Sequence, residues 1–326
     1  TKTDLLVNTG SPLNLYCGVH SDSLMQTYAE PAESPGWTDE VTILDTPHGK
    51  LRQVYTHHPD HVSGYRTEPF AKEPDDLKKV MALPYEPYPF NPAPYRDLDA
   101  QLGERGLPLF YFDHALYAAV RLMGSENFAL WSLDNEPLLL ELVQLFHKRR
   151  TDHVLQALNH GIRNIFGWVG PELCIPPLMP PSAFETYVFA FDQPLIERIH
   201  DAGGRVWVHS HGNMKGLISR FADMGIDVLN PIEPPPMGDL PLNEAFERVG
   251  NRMGLEGNIE KHDIFTASLQ EMRQKIHTAL HEGSARRFIL CPSSNYQENM
   301  HPDRREIENL TLFITEGVTV AETLKQ

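Results

Sequence analysis

The amino-acid sequence predicts an α/β protein, a (β/α)8 barrel or TIM barrel preceded by an N-terminal β-hairpin and a proline-rich extension. Three observations lead to this prediction. From residue 106 onward, short apolar segments alternate with amphipathic ones at the spacing of βα units, which implies a parallel sheet. Polar residues follow nearly every apolar segment, as the mouth of a barrel requires. The 326 residues are enough for one barrel with additions.

The first part of the chain, residues 1–105, is irregular and rich in proline, and we expect it to pack on the barrel as an extension. Residues 41–55 predict a β-hairpin, with strands at 41–45 and 51–55 joined by a long turn. Five prolines between residues 84 and 94 exclude a regular helix or strand there and indicate a wrapped loop or linker. With the barrel core at 106–326, the chain is expected to form one structural domain.

The elements of the barrel follow from hydrophobic periodicity. The predicted strands lie at residues 107–112, 162–169, 205–209, 226–232, 253–259 and 287–291. The predicted helices lie at residues 137–159, 182–202, 214–224, 242–249, 264–282 and 303–316. Ser182 followed by Glu185 has the pattern of a capping box, and Gly203 and Gly204 end that helix. A doubly wound sheet is the main alternative to the barrel.

Charge and composition exclude several classes of function. The chain has 44 acidic and 28 basic residues and a formal net charge of −16. This balance argues against binding to nucleic acid or an anionic membrane, because both require a cationic surface. Cys17, Cys174 and Cys291 are few, distant and odd in number, so we expect no disulfide framework and a cytoplasmic location. The sequence contains no apolar run of membrane-spanning length.

The segment from Arg205 to Asn213 carries the strongest functional signal. Side chains two residues apart on a strand point to the same face, so His209 and His211 are expected to project together. The carboxyl end of a parallel strand is where α/β proteins bind ligands. Two imidazoles there provide half of a metal site, and Cys291 is the preferred third ligand for a catalytic zinc ion. The alternative is that both imidazoles only form hydrogen bonds to a substrate carboxylate or to the loop.

Further polar residues at strand ends complete the candidate site. Glu172 and Glu233, each beside a proline, are candidates for catalysis or for orienting the histidines, and Asn258, at the end of another strand, is the third catalytic candidate. Glu172 or Cys174 is also a candidate fourth metal ligand. The candidate substrate-binding residues are Asp113, His114, Arg66, Asn213 and Asn295. The alternatives are solvated loop carboxylates for the two glutamates and a helix cap for the aspartate.

Several stretches resemble the uroporphyrinogen decarboxylase superfamily. They are residues 73–77, 170–172, 180–184, 209–213, 227–234, 254–260 and 288–294. The resemblance implies a (β/α)8 barrel and one of two chemistries. One is cofactor-free decarboxylation of porphyrinogen acetates. The other is methyl transfer by zinc enzymes that act with a corrinoid protein on thiols, amines or aryl methyl ethers.

Three departures from the family patterns bear on the choice. The decarboxylases carry an N-terminal R-Q-A-G-R segment, which this sequence lacks. The zinc methyltransferases carry His-x-Cys-Gly, and here His211 stands in place of the cysteine. Their later cysteine falls on Ser294, with Cys291 three residues earlier. Imidazole in place of thiolate makes a bound metal a stronger Lewis acid, which suits an oxygen-bearing substrate.

The sequence therefore predicts a zinc-dependent methyltransferase or demethylase. It would move a methyl group from a small substrate, such as an aryl or alkyl methyl ether, to a corrinoid protein. A metal-free decarboxylase is the first alternative, with His209 or His211 as proton donor and Arg66 holding the carboxylate. A non-catalytic ligand-binding subunit is the second, because one fold hosts many functions.

Overall fold

The computed structural model describes residues 5–10, 13–61, 63–294 and 302–324. The chain forms two compact units. The first unit takes Thr1–Gly10, Ala93–Tyr111 and Ile162–Gln326, and the second takes Ser11–Pro92 and Phe112–Gly161. This division differs from the predicted boundary between residues 105 and 106, because a strand near the N-terminus pairs with the strand that starts at residue 106.

The strands are numbered along the chain. They are β1 (Leu5–Thr9), β2 (Met25–Pro31), β3 (Thr38–Thr46), β4 (Gly49–His57), β5 (Tyr65–Glu68), β6 (Gly106–Tyr111), β7 (Ile165–Val169), β8 (Arg205–His209), β9 (Val228–Ile232), β10 (Gly254–Ile259) and β11 (Phe288–Pro292). The helices are α1 (Ser21–Leu24), α2 (Pro74–Met81), α3 (Ala93–Leu102), α4 (Ala115–Asp134), α5 (Glu136–Asn159), α6 (Pro181–Phe184), α7 (Ala190–Asp201), α8 (Ile218–Met224), α9 (Leu242–Val249), α10 (Lys261–Thr266), α11 (Leu269–Gly283) and α12 (Arg304–Leu324).

The first unit is built on a curled parallel sheet that forms a half-barrel. Its seven strands have the order β1-β6-β7-β8-β9-β10-β11. This order follows the chain without reversal, whereas a doubly wound sheet reverses its strand order, so the doubly wound alternative is excluded. In the described part of the chain, β1 and β11 are the edge strands, and the closed eight-stranded barrel stays a prediction.

The inner strands β7, β9 and β10 are largely buried along both faces, as expected where helices cover a parallel sheet. Phe110 on β6 and Phe166 on β7 pack with their ring centroids 5.5 Å apart. Further along the sheet, Ile259 joins Ile264, Met272 and Ile276 in one buried cluster beneath α10 and α11. This packing fixes the strands, so that the side chains at their carboxyl ends keep defined relative positions.

The helical segment that starts at Pro181 differs from the prediction. Pro181 occupies the first helical position, where a missing N–H costs no hydrogen bond, and Pro180 precedes it. The predicted capping box of Ser182 and Glu185 is wrong, because the Glu185 carboxylate is bound by both ends of the Arg220 guanidinium at 2.7 and 2.8 Å. A π turn, Glu185–Phe189, joins α6 to α7.

A second difference concerns the helix predicted at residues 264–282, which is two helices. Ser268 stands between α10 and α11 and caps α11, since its hydroxyl accepts the Glu271 N–H at 3.3 Å. The Glu271 carboxylate accepts the Ser268 N–H in return at 2.8 Å. This capping box starts a new helix. The helical backbone is therefore interrupted at Ser268, although the hydrophobic pattern of the sequence continues across it.

The second unit contains a four-stranded antiparallel sheet in the order β2-β3-β4-β5. β3 and β4 occupy the residues for which a hairpin is predicted, and their register pairs Leu44 with Leu51 and Val41 with Val54. All four of these side chains are buried. Because strand side chains alternate, the two residues of each pair share a face, and the two pairs, three residues apart, lie on opposite faces of the sheet. Helices α4 and α5 complete the unit, and α4 is kinked at Gly124, whose φ is +80°.

No helix in the described ranges is long and apolar enough to cross a membrane.

Candidate functional site

The two histidines of the β8 segment lie side by side. His209 is the last residue of β8, and His211 follows two residues later. Their ring centroids are 4.6 Å apart and their planes are inclined by 81°, so the rings meet edge to face. Ser210 between them is fully buried, whereas both imidazoles are partly exposed. The pair is therefore reachable from solvent at the carboxyl end of the strand.

Each imidazole is anchored through its Nδ1 atom. The Nδ1 of His209 lies 2.6 Å from Oδ1 of Asn230, the residue that faces it in the β8–β9 register. The Nδ1 of His211 lies 2.9 Å from Oε1 of Glu233. Because these oxygens accept, Nδ1 donates in both rings and Nε2 is left to bind a ligand. Metal-binding histidines are commonly held in this way by a carboxylate or carbonyl oxygen.

The loop after β8 is shaped by Gly212. Its φ of +113° lies in a region that side chains other than glycine rarely adopt. A Cβ atom at this position would stand 2.9 Å from the carbonyl oxygen of Pro176. The same carbonyl accepts the N–H of Asn213 at 2.9 Å, and the Gly212 N–H points to Oε2 of Glu233 at 3.4 Å. Glu233 therefore holds both the imidazole and the loop backbone.

The two imidazoles differ in their affinity for a proton. Burial lowers the pKa of His209, and the charge of His211 lowers it further. Burial also acts to lower the pKa of His211, but the hydrogen bond and charge of Glu233 outweigh it. With Glu172 and Glu260 adding to this effect, the pKa of His211 is raised above its ordinary value. In the absence of a metal, the proton therefore resides on His211 before His209.

Glu172 lies in a short 3-10 turn, Pro171–Cys174, that follows β7. Its Oε2 accepts the N–H of Gly170 at 2.9 Å. Burial raises the pKa of Glu172, although this hydrogen bond and the charge of His211 oppose the shift. Cys174 is fully buried, and burial together with the charge of Glu172 raises its pKa well above the ordinary value. Both effects disfavour the thiolate form of Cys174 in the metal-free protein.

Cys291 lies on β11, opposite Asn258 of β10. Burial and the nearby Glu256, to which its thiol is hydrogen-bonded, raise the pKa of Cys291 far above the ordinary value. Glu256 also accepts the indole N–H of Trp207 at 2.6 Å. Within the described residues, no group of three or more histidines, cysteines or carboxylates is placed to hold a metal. The structure therefore brings the two histidines together but does not add Cys291 to them.

Two carboxylates flank the predicted Asn258, namely Glu256 on β10 and Glu260 directly after it. The sequence-predicted Asn258 donates its side-chain amide to the carbonyl of Ile232 at 3.0 Å, which ties β10 to β9. Glu260 follows β10 directly and its Oε2 accepts the hydroxyl of Ser293 at 3.2 Å. Burial and the charge of Glu233 raise the pKa of Glu260 to about 7. The sequence places both glutamates with Asn258 at this strand end, at a spacing of two residues, but it assigns no role to either of them.

The predicted substrate-binding residues Arg66 and Asp113 belong to the second unit. Asp113 pairs with Arg121 at 3.1 Å, and Arg121 also stacks 4.5 Å above the ring of Tyr117. Arg66 donates its Nε–H to Gln53 at 2.8 Å. Burial lowers the pKa of Arg66, and the charge of Arg121 lowers it further. Arg66 and Arg121 thus form a basic cluster within the second unit.

The last three predicted substrate-binding residues have separate positions. His114 is buried in the second unit, where its Nδ1 accepts the N–H of Leu116 at 3.1 Å and caps α4. His114, rather than Asp113, is therefore the cap of this helix. Asn213 lies in the loop after β8, next to the histidine pair. Asn295 lies outside the described residues.

The fold and the site together define a class of protein: a parallel α/β half-barrel with paired histidines at the carboxyl ends of its strands. Residues 171–310 match the family described as uroporphyrinogen decarboxylase (URO-D), which confirms the predicted resemblance to that superfamily. No curated protein matches the chain by sequence.

Two solved structures illustrate what the chain is similar to. A methyltransferase from Methanosarcina mazei superposes with a TM-score of 0.57 at 17% identity, over 79% of this chain and 72% of that chain. A xylose isomerase-like TIM barrel protein from Mycobacterium smegmatis, in complex with magnesium, gives a TM-score of 0.34 at 13% identity, over 77% of this chain and 89% of that chain. At 17% identity, the similarity to the methyltransferase concerns the fold alone.

Proposed function

We propose that the chain is a zinc-dependent methyltransferase or demethylase, which moves a methyl group from a small substrate to a corrinoid protein. The observation that supports this most strongly is the histidine pair, in which both Nδ1 atoms are hydrogen-bonded and, among the described residues, both Nε2 atoms remain available for a metal. The URO-D match and the shared fold with a methyltransferase favour this reaction class. A closed (β/α)8 barrel remains part of this proposal.

The side chains present can fill two coordination positions of a metal ion of intermediate softness, such as zinc. His209 and His211 would supply two nitrogen ligands, which zinc accepts readily. The carboxylates of Glu172, Glu233 and Glu260 act electrostatically on His211, so the surroundings favour a cation. Cys174 and Cys291 are left out of the proposed ligand set, because no group of three or more histidines, cysteines or carboxylates in the described residues is placed to hold a metal. The remaining positions of the shell would be open to water or substrate.

The chain's own groups have separate tasks in this proposal. A bound zinc ion would supply Lewis acidity toward the heteroatom that carries the methyl group. Asn230 and Glu233 fix the tautomer and the orientation of the two rings. Glu172 and Glu260 keep the site negative and, when protonated, donate hydrogen bonds. The acceptor of the methyl group would come from the corrinoid partner.

The proposal is tested by metal analysis combined with a transfer assay. Wild-type protein expressed with added zinc is expected to hold about one equivalent of metal. His209→Ala and His211→Ala should each lose most of it, and Cys291→Ser should retain it. The assay offers methyl donors and free cob(I)alamin and follows methylcobalamin by absorbance. Wild-type protein with less than about a tenth of an equivalent of metal, and no transfer from any donor, would refute the proposal.

A metal-free decarboxylase is the second candidate, and the proton affinities of the site favour it. His211 has a raised pKa, and the pKa of Glu260 is raised to about 7, so two groups near neutral pH could protonate a carbanion. Activity on a carboxylate that survives strong chelators would support this candidate. Loss of that activity on metal removal would exclude it.

A further inference from the structure

Two buried side-chain oxygens on α12 have no hydrogen-bond donor. Glu306 and Asn309 are three residues apart on this helix, so their side chains leave it on the same face. Glu306 is only 2% exposed, and Asn309 is fully buried. Within the described ranges, neither Oε1 of Glu306 nor Oδ1 of Asn309 has a hydrogen-bond partner. A carboxylate oxygen and an amide oxygen only accept, so this face of α12 calls for a donor or a cation.

The amide group of Asn309 shows what this face of α12 packs against. Its Nδ2 donates to the carbonyl oxygens of Ile264 at 3.0 Å and Ala267 at 2.9 Å, where α10 ends. The carbonyl oxygen of Asp263 lies 3.5 Å from the same nitrogen. A carbonyl that accepts one N–H keeps a second lone pair, so the end of α10 presents further oxygen acceptors to α12.

The start of α12 accounts for only one oxygen of the Glu306 carboxylate. Its Oε2 accepts the N–H of Asp303 at 3.3 Å, and the Glu306 N–H donates to Oδ1 of Asp303 at 2.8 Å. These bonds cap the helix but leave Oε1 unbound. In the part of the chain that the structure describes, no lysine, arginine or histidine forms an ion pair with Glu306. Burying a carboxylate without a counter-ion is costly.

Unbonded acceptors are concentrated in this region of the first unit. Among the described residues, the buried carboxyl and amide side chains with an unbonded oxygen are Glu260, Asp263, Glu306 and Asn309, all on or beside α10 and α12. The carboxylate of Asp263 is balanced by Lys275, whose Nζ lies 3.1 Å away. Glu306 is the more deeply buried carboxylate and has no such lysine, so the contact between the two helices carries an uncompensated negative charge.

The kind of ligand follows from the oxygens that are present. Over the described residues, no group of three or more histidines, cysteines or carboxylates is placed to hold a metal, so calcium and zinc, which take several such ligands, do not fit. One carboxylate with neutral amide and carbonyl oxygens suits a hard ion of single charge, such as the potassium ion that carbonyl oxygens bind. A water molecule could donate to either oxygen but would not neutralise the carboxylate.

We propose that an alkali cation, sodium or potassium, binds between α10 and α12 through Oε1 of Glu306 and Oδ1 of Asn309. The cation would fasten α12 to a helix that begins directly after Glu260. The first residue of α10, Lys261, donates its N–H to the hydroxyl of Ser293 at 3.0 Å, and this hydroxyl binds Glu260. The inference concerns stability and does not depend on the proposed methyl transfer.

The test compares salts at equal ionic strength, so that screening of surface charges is the same in each. Thermal unfolding of chelator-treated wild-type protein is followed in chlorides of sodium, potassium and tetramethylammonium, the last being too large to enter the site. Sodium or potassium should raise the unfolding midpoint saturably, by about 2–4 °C at ten times its dissociation constant. The larger shift identifies the cation. Equal midpoints in the three salts would overturn the inference.

Matched variants locate the effect on α12. Glu306→Gln removes the charge with little change in shape and should lose most of the difference between the alkali salts and tetramethylammonium. Glu308→Gln is the control, because Glu308 pairs with Arg304 on the surface of the same helix, and it should keep the wild-type difference. A full difference retained in Glu306→Gln would contradict the inference.

Sodium-23 line widths give a second readout that does not require a variant to fold. Wild-type protein should broaden the sodium signal, and added potassium should reverse the broadening, whereas tetramethylammonium should not. Should Glu306→Gln fail to fold, this measurement and the wild-type salt series decide. Line widths that are the same with and without protein, together with equal midpoints in the three salts, would refute the site.

Discussion

At the residue scale, the site depends on which atoms the side chains leave free. Asn230 and Glu233 bind the Nδ1 atoms of the two histidines, so both rings present Nε2. The two cysteines near the site keep their protons because burial and neighbouring glutamates raise their pKa values. A metal held here would therefore be bound by nitrogen, and its affinity would depend on residues that do not touch it.

Replacing Glu233 with glutamine tests this dependence. The variant keeps an oxygen that can accept the His211 N–H but loses the charge that raises the pKa of that ring. We expect zinc affinity to fall about 10- to 100-fold. Competition with a coloured chelator measures it, and Glu247→Gln serves as control. Unchanged affinity would show that Glu233 does not support the metal.

The pH dependence of stability should be controlled in part by Glu260. Its pKa in the folded protein is raised to about 7 from an ordinary 4.5, so folding disfavours its ionised form. The folded state then binds the extra proton between these values, and stability falls as pH rises through this interval. Above pH 7, metal-free Glu260→Gln should exceed the wild type in free energy of unfolding, by the order of 1 kcal/mol.

Urea unfolding at several pH values, after removal of metal, measures this effect. The difference between the variant and the wild type should vanish below the ordinary carboxyl pKa. A difference that is constant over the whole range would mean that the substitution acts through packing rather than through charge.

At the element scale, the hydrophobic pattern of the sequence correctly predicted strands and helices whose ends depend on residues nearby in the chain. The strand at residues 205–209 and the helix at 242–249 have the predicted bounds. The predicted capping box at Ser182 was wrong. Glu185, which was expected to complete it, binds instead to Arg220, 35 residues later in the sequence. Sequence periodicity carries no information about such long-range partners.

The loop that follows β8 provides a prediction at this scale. Gly212→Ala would force a Cβ atom to within 2.9 Å of the Pro176 carbonyl and keep a positive φ. We expect a loss of about 1–3 kcal/mol in the free energy of unfolding and weaker metal binding, because the loop orients His211. Gly216→Ala is the matched control, since its Cβ would meet nothing within 4 Å. Equal stabilities of the two variants would contradict this account of the loop.

At the scale of the whole molecule, the sequence indicated a parallel sheet from residue 106 onward but not the complete first unit. The strand β1 is short and lies about 100 residues before its partner β6, so no local pattern connects them. The prediction of the site was limited in the same way, to contacts between residues near each other in the sequence. Alternation along β8 predicted that the two histidines come together. Glu256 forms hydrogen bonds with both the Trp207 indole and the Cys291 thiol. These contacts depend on the register of separate strands, which no local pattern reveals.

Metal binding should also stabilise the folded chain as a whole. A ligand that binds only the folded state adds about 2.7 kcal/mol at a concentration 100 times its dissociation constant. Thermal unfolding of the wild type should therefore shift upward with added zinc, and His209→Ala should show no shift. An equal shift in both proteins would place the zinc elsewhere.

The central claim is that the paired imidazoles bind a metal ion through Nε2. Anomalous diffraction from crystals grown with zinc, recorded on both sides of the zinc edge, tests it most directly. The account predicts one strong peak at bonding distance, about 2.0–2.1 Å, from Nε2 of both His209 and His211, with the thiol of Cys291 outside the coordination shell. A peak bound to Cys291 or Cys174, or no peak beside the two histidines, would contradict it.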